Sequence, residues 1–260
     1  MIDPLTFIAL LPAVVLVVYI CRKDRTDKEP PALIAKLLGY GVLSCLPAIV
    51  VELILSAIIE RLNVRNVYLG YFLEAFVVAG LTEETCKFLF LRTTWRNPAF
   101  DYQFDAIVYA VMVALGFAAF ENVKYVYSYG FATGIVRAVT AVPGHAIFGV
   151  FMGYFYGYAK LSDYWGRDDD RKAYLALSVV VPVLMHGCYD FLAFTQESDS
   201  RFTLLFYAYL IALYVFGIRR VNRSSRDDRR VTRETVFDYF RRMQYPMPPQ
   251  YRDRNDDFWR

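Results

Sequence analysis

The strongest constraint on how this chain folds is where its charges are missing. Seven mostly apolar windows run over 5–21, 33–59, 70–93, 105–128, 132–159, 173–195 and 202–218, separated by charge-rich connections. Each approaches the ~20 residues that a helix needs to cross the hydrocarbon core of a bilayer. The sequence therefore predicts an all-α, polytopic membrane bundle of about seven transmembrane helices over 1–218, with a basic tail over 219–260. Composition agrees, since 57% of the residues are apolar against ~45–50% in an average globular chain. A net charge of +3, with no basic and aromatic interleaving, argues against a nucleic-acid partner.

Charge asymmetry predicts orientation. No positive charge precedes the first window, and Arg22, Lys23, Arg25 and Lys28 come directly after it, the reverse of a cleavable signal peptide. Lys160, Arg167, Arg171 and Lys172 lie in one later connection, and arginines crowd the tail, whereas the loops near 62, 130 and 198 carry few. Alternation then predicts an N-terminus outside the cell membrane and a C-terminus inside it. The tail ends in a Pro/Tyr-rich stretch, and its first part either lies on anionic headgroups or, more simply, serves as a positive-inside anchor. The cysteines Cys21, Cys45, Cys86 and Cys188 form no ligand-like spacing and read as small hydrophobic residues.

The informative residues are the ionisable ones inside the windows. Away from the window ends, the first and last windows hold none and the second holds Glu52. The four between carry Glu74, Glu83, Glu84, Lys87, Glu121, Lys124, Arg137, His145, His186 and Asp190. A charge at mid-helix costs roughly 2.5–3.5 kcal/mol on insertion scales, so these groups must face one another or a hydrated cavity. Lys87 stands at i+4 from Glu83 and i+3 from Glu84, within reach of both. The two glutamates lie ~100° apart around a helix, so one is expected to face the cavity and the other a neighbouring helix. Glu121 and Asn122 come just after Gly116, Ala118 and Ala119, small residues that admit close helix approach. The chain's two histidines, His145 and His186, both fall inside windows, and Asp190 sits one turn beyond His186, where it can orient the ring. Gly149, Gly153 and Gly157 form a small-residue ridge, and Pro143 is placed to break the fifth window.

Two chemistries suit this set. A glutamate can activate water while histidine and asparagine stabilise the developing oxyanion. Alternatively, His145, His186 and a glutamate can hold a divalent metal such as zinc with a position left for water. The residues do not separate the two, and the metal-free route is the preferred expectation. The same groups would also serve a proton-coupled transporter or, as helix-packing elements, a noncatalytic scaffold. The absence of an internal repeat weighs against the transporter.

The order EETCK at 83–87, FEN at 120–122, His145 in the next window and HGCYD at 186–190 in the one after resembles the PrsW family of intramembrane proteases. That family is similar in turn to the superfamily of type II CAAX prenyl endopeptidases and bacteriocin-processing proteins. The resemblance covers roughly 70–195 and leaves the arginine-rich tail unmatched. It implies a multi-pass endopeptidase of the cell membrane with Glu83, Glu84, Glu121, His145 and His186 in the site, supported by Lys87, Asn122 and Asp190. Glu84, ahead of Glu83, is the expected general base, with Glu121 aiding proton transfer and Asn122 donating a hydrogen bond. The implied partner is a membrane-anchored protein, in the bacterial family an anti-sigma factor.

Overall fold

A computed structural model describes residues 3–231, and among these every regular element is helical. The helices are α1 (Pro4–Lys23), α2 (Pro31–Arg61), α3 (Val67–Phe72), α4 (Thr82–Leu91), α5 (Gln103–Tyr129), α6 (Phe131–Val139), α7 (Ala141–Tyr164), α8 (Asp168–Ser198) and α9 (Arg201–Arg226). A π-helical stretch, Leu73–Leu81, joins α3 to α4. Six helical runs are long and apolar enough to cross a membrane: α1, α2, α5, α6 with α7, α8 and α9. The remaining predicted window, 70–93, falls on α3, the π stretch and α4. It is helical throughout but changes pitch midway. The expected membrane bundle is therefore the fold.

The bundle is organised around α5, whose side chains from Phe104 to Ala118 are all buried. A helix apolar on every side belongs at the centre of a bundle, and α7, α2 and α1 pack around it. Close approach comes from the glycines. A Cβ added at Gly149 would lie 2.9 Å from the Ala114 side chain, and one at Gly157 would lie 2.9 Å from the Gln103 carbonyl oxygen. The ridge read from the sequence is thus the α7 face against α5. Outward-facing residues such as Leu46, Leu53, Leu204 and Ile211 are exposed, as a lipid-facing shell requires.

The fifth predicted window breaks, but at Thr140 rather than at Pro143. The backbone there leaves helical geometry (φ −124°, ψ −73°), dividing α6 from α7. Pro143 has no N–H to offer the Val139 carbonyl one turn earlier. The Tyr214 hydroxyl of α9 donates to that carbonyl instead.

Helix α9 continues past Ile218, where its apolar run ends, to Arg226. Beyond it the chain returns to the start of α5, where Gln103 N–H donates to the Arg229 carbonyl (2.9 Å) and Phe104 N–H to Asp228 (2.9 Å). The rest of the tail, including its Pro/Tyr-rich end, lies outside the described residues.

Candidate active site

Four elements place the polar residues around one point. Gly80, at the end of the π stretch, meets the α8 backbone so closely that a Cβ there would lie 3.1 Å from the Val183 oxygen. A π stretch turns fewer degrees per residue than an α-helix and so changes the rotational phase of the helix after it. The first turn of α4 then carries Glu83 and Glu84 inward together, and both are buried.

Lys87 ties the pair. Its Nζ donates to Glu83 Oε2 (3.0 Å) and Glu84 Oε1 (2.7 Å), and lies 3.2 Å from His145 Nδ1. An ammonium has three protons, and these three acceptors use all of them, while the Phe117 ring lies 4.1 Å from the nitrogen. With Nδ1 accepting, His145 donates from Nε2 to Glu121 Oε2 at 2.9 Å. Glu121 is in turn held by Arg137 at 2.8 Å.

His186 is arranged in parallel. Its Nδ1 lies 3.0 Å from Glu84 Oε1, and its Nε2 lies 3.2 Å from Asp190 Oδ2. A carboxylate faces each nitrogen, so a second ring proton or a metal is needed to satisfy both. The two imidazoles stand perpendicular with centroids 5.1 Å apart, and Phe148 stacks on His186 at 5.0 Å. His186 thus turns Nδ1 toward Glu84 and His145 turns Nδ1 toward Lys87, each with Nε2 on a carboxylate behind.

A cavity of about 330 Å³ opens beside this cluster, lined by Glu83, Glu121, His145, His186 and Asp190 among others. Glu84 does not line it. Neither does Asn122, whose amide donates to the Ala9 carbonyl (2.8 Å) and whose oxygen accepts from Arg137 (3.1 Å). Asn122 therefore joins α5 to α1 and steadies Arg137, and its expected donation toward a reacting carbonyl has no geometry here. Of the residues singled out from sequence, Glu83, Glu84, Lys87, Glu121, His145, His186 and Asp190 come together. Four others were missed: Arg137 as the partner of Glu121, Phe117 under Lys87, and Glu52 and Glu74 on the cavity wall. The only sequence signal for Arg137, Glu52 and Glu74 was a charge inside an apolar window.

Glu83, Glu84, His145 and His186 each offer a ligand atom, all within 4.8 Å of one another. Glu84 Oε2 is buried with no hydrogen-bond partner, which is costly unless something charged meets it. The donor set fits a divalent ion, and Lys87 Nζ is the cation now lying among three of the four residues. A polytopic helical bundle with two histidines and two glutamates buried beside a cavity is what a membrane-embedded hydrolase requires.

Residues 29–218 match the family described as PrsW family intramembrane metalloprotease. The chain is 33% identical over 216 residues to Protease PrsW of Bacillus subtilis (strain 168), covering 83% of this chain and 93% of that protein. It is 34% identical over 217 residues to Protease PrsW of Oceanobacillus iheyensis, covering 83% and 94%. With Protease PrsW of Geobacillus kaustophilus (strain HTA426) the identity is 32% over 214 residues, covering 82% and 88%. No solved structure matches. The chain belongs to the PrsW family and is a multi-pass intramembrane peptidase with a membrane protein as its substrate. The description of that family as metalloproteases, together with the donor cluster, shifts the preference from metal-free chemistry to a metal.

Proposed function

We propose that the chain hydrolyses a peptide bond of a membrane-anchored protein in the cavity, with His145, His186 and Glu84 holding a divalent ion and Glu83 acting as general base. The observation that carries this reading is the parallel setting of the histidines, each with Nε2 on a carboxylate and Nδ1 turned to the Glu83–Glu84–Lys87 cluster, His186 to Glu84 and His145 to Lys87. A carboxylate behind a ligating imidazole fixes its tautomer and raises its basicity. When bound, a divalent ion polarises the scissile carbonyl and lowers the pKa of water.

The side chains divide the remaining work. Glu83 lines the cavity, where it can take a proton from water and later return it to the leaving amine. Glu84 lies behind the cavity wall with one oxygen unpartnered, a ligand's position rather than a base's. Glu121 and Asp190 orient His145 and His186, and Arg137 holds Glu121 in place. Lys87 keeps both glutamates turned inward and must shift when a divalent ion enters. Among membrane-anchored substrates we favour an anti-sigma factor, on the strength of the four-motif resemblance.

Metal content and cleavage measured together test these roles. In detergent-solubilised protein prepared without chelators, Glu84→Gln, His145→Ala and His186→Ala should lose both bound metal and activity. Glu83→Gln should keep the metal while losing turnover. Activity is read as new protein N-termini in membranes from cells carrying each variant at equal abundance. Wild-type cleavage by Glu83→Gln would remove Glu83 as the base, and full metal content in Glu84→Gln would remove Glu84 as a ligand. An anti-sigma factor among the proteins whose new ends depend on Glu83 would support that choice of substrate, and other single-span proteins alone would replace it.

A further inference from the structure

The geometry points to a binding site for the phosphate headgroup of an anionic phospholipid between the ends of α1 and α9, independent of the catalytic cavity. A cavity of about 480 Å³ is lined there by five cationic side chains, Lys23, Arg25, Arg219, Arg223 and Arg226. That volume lies within the ~300–1,000 Å³ of small-molecule sites, and no carboxylate lines it.

The helix ends are tied into a fixed wall. Lys23 Nζ donates to Asn222 Oδ1 at 2.6 Å, and the Ser225 hydroxyl donates to the Lys23 carbonyl. These bonds bring the last turn of α1 level with the last two turns of α9. The apolar run of α9 ends at Ile218. At 1.5 Å per residue, Arg219–Arg226 extend it by roughly 12 Å, into the headgroup layer.

Among the described residues, most of the charges in this cavity lack an acidic partner. Several cations elsewhere meet acids: Lys87 meets Glu83 and Glu84, Arg137 meets Glu121, and Arg171 meets Asp163 and Asp168. Here, among the described residues, Arg25, Arg219 and Arg226 have no acidic partner. Arg223 has only an exposed contact of 3.5 Å with Asp227. Converging like charges repel unless a counter-charge enters, and the field focused in such a cleft favours an anion. Four of the five are arginines, whose planar forks bind phosphate oxygens two at a time. A positive-inside anchor needs only basic residues near the span end. It does not need them gathered around one cavity, and basic pockets between membrane helices bind lipid headgroups.

The test uses the full chain in detergent and native mass spectrometry with phosphatidylglycerol or phosphatidylcholine of matched acyl chains. The wild type should retain phosphatidylglycerol about tenfold more than phosphatidylcholine, and the triple variant Arg219→Gln, Arg223→Gln, Arg226→Gln should lose that preference. The corresponding triple lysine variant, which keeps the charge and the topology signal, should retain phosphatidylglycerol to a lesser degree. Equal retention of the two lipids by the wild type, or unchanged preference in the triple glutamine variant, would overturn the site. Full displacement of phosphatidylglycerol by millimolar inorganic phosphate would make free phosphate the ligand instead and also overturn the lipid assignment. Preference that emerges only when Glu234, Asp238, Asp253, Asp256 and Asp257 are neutralised would give the cavity to the chain's own C-terminal acids. Should the glutamine triple variant unfold, Arg219→Gln alone decides: a fall of about threefold in preference supports the site, and none overturns it.

Discussion

The charges at the centre of the bundle and those at the α1–α9 end differ in one respect that accounts for most of what each can do. In the centre, Lys87, Arg137, His145 and His186 each meet carboxylates within 3.2 Å. At the α1–α9 end, Arg25, Arg219 and Arg226 meet none among the described residues. The first region is buried, so its charges are stabilised by answering one another. Headgroups and solvent answer charges in the second, so convergence without partners is tolerated. Interior charges thus position one another for chemistry, whereas the end charges remain available to an outside ligand.

Four sets of substitutions would break or sharpen this contrast. The largest effect belongs to Glu83→Gln, which should lower the cleavage rate by about 10²–10⁴-fold, as removal of a general base does. Its thermal unfolding should stay close to wild type, because glutamine can still accept from Lys87, and a rate within twofold of wild type would refute the assignment. Arg137→Met comes next. It leaves Glu121 without its cation and should cost about 3 kcal/mol, read by denaturation in detergent. Adding Glu121→Gln should recover stability without recovering activity, since His145 would still lack its carboxylate. Recovery of both would make the Arg137–Glu121 pair purely structural.

A smaller effect is expected in the α1–α2 connection. Burial pushes Glu29 up from 4.5 to about 7 and Asp24 up from 3.8 to about 6. A carboxyl whose folded pKa is raised holds its proton in the native state where the unfolded chain has released it. The stability it contributes is complete below pH ~4.5 and falls as pH rises to about 7. Glu29→Gln should flatten the loss of melting temperature between pH 5 and pH 8, and an unchanged slope would discard Glu29 as its source. The smallest effect is that of the triple Arg219→Gln, Arg223→Gln, Arg226→Gln variant on stability in zwitterionic detergent. It should lie within about 0.5 kcal/mol of wild type, because these side chains answer no interior charge. A loss as large as that of Arg137→Met would place them in the structure's support instead.

Much of the fold was legible because hydropathy is additive along the chain. The windows 5–21, 33–59, 105–128, 173–195 and 202–218 became single helices, each somewhat longer than its window. The glycine ridge of α7 was legible for a similar reason, since a four-residue spacing puts one helical face together. The break at Thr140 was displaced from its expected place because the carbonyl freed by Pro143 lies one turn upstream, where Tyr214 reaches it. No local signal told that Asn122 would point at Ala9 of α1, more than a hundred residues away in the chain.

By itself the sequence determined that the chain is a helical membrane bundle and that its ionisable groups gather inside it, since an ionisable group in a span must find company. Only the tertiary structure decided how that company is arranged. The π stretch and the close passage of Gly80 against α8 set the phase of α4, and that phase puts Glu83 on the cavity wall and Glu84 behind it. The Arg137–Glu121–His145 chain likewise spans three helices whose relative rotation no spacing along one of them encodes. Composition and periodicity are properties of single segments, whereas facing is a property of pairs, fixed by whichever contacts let two helices come closest.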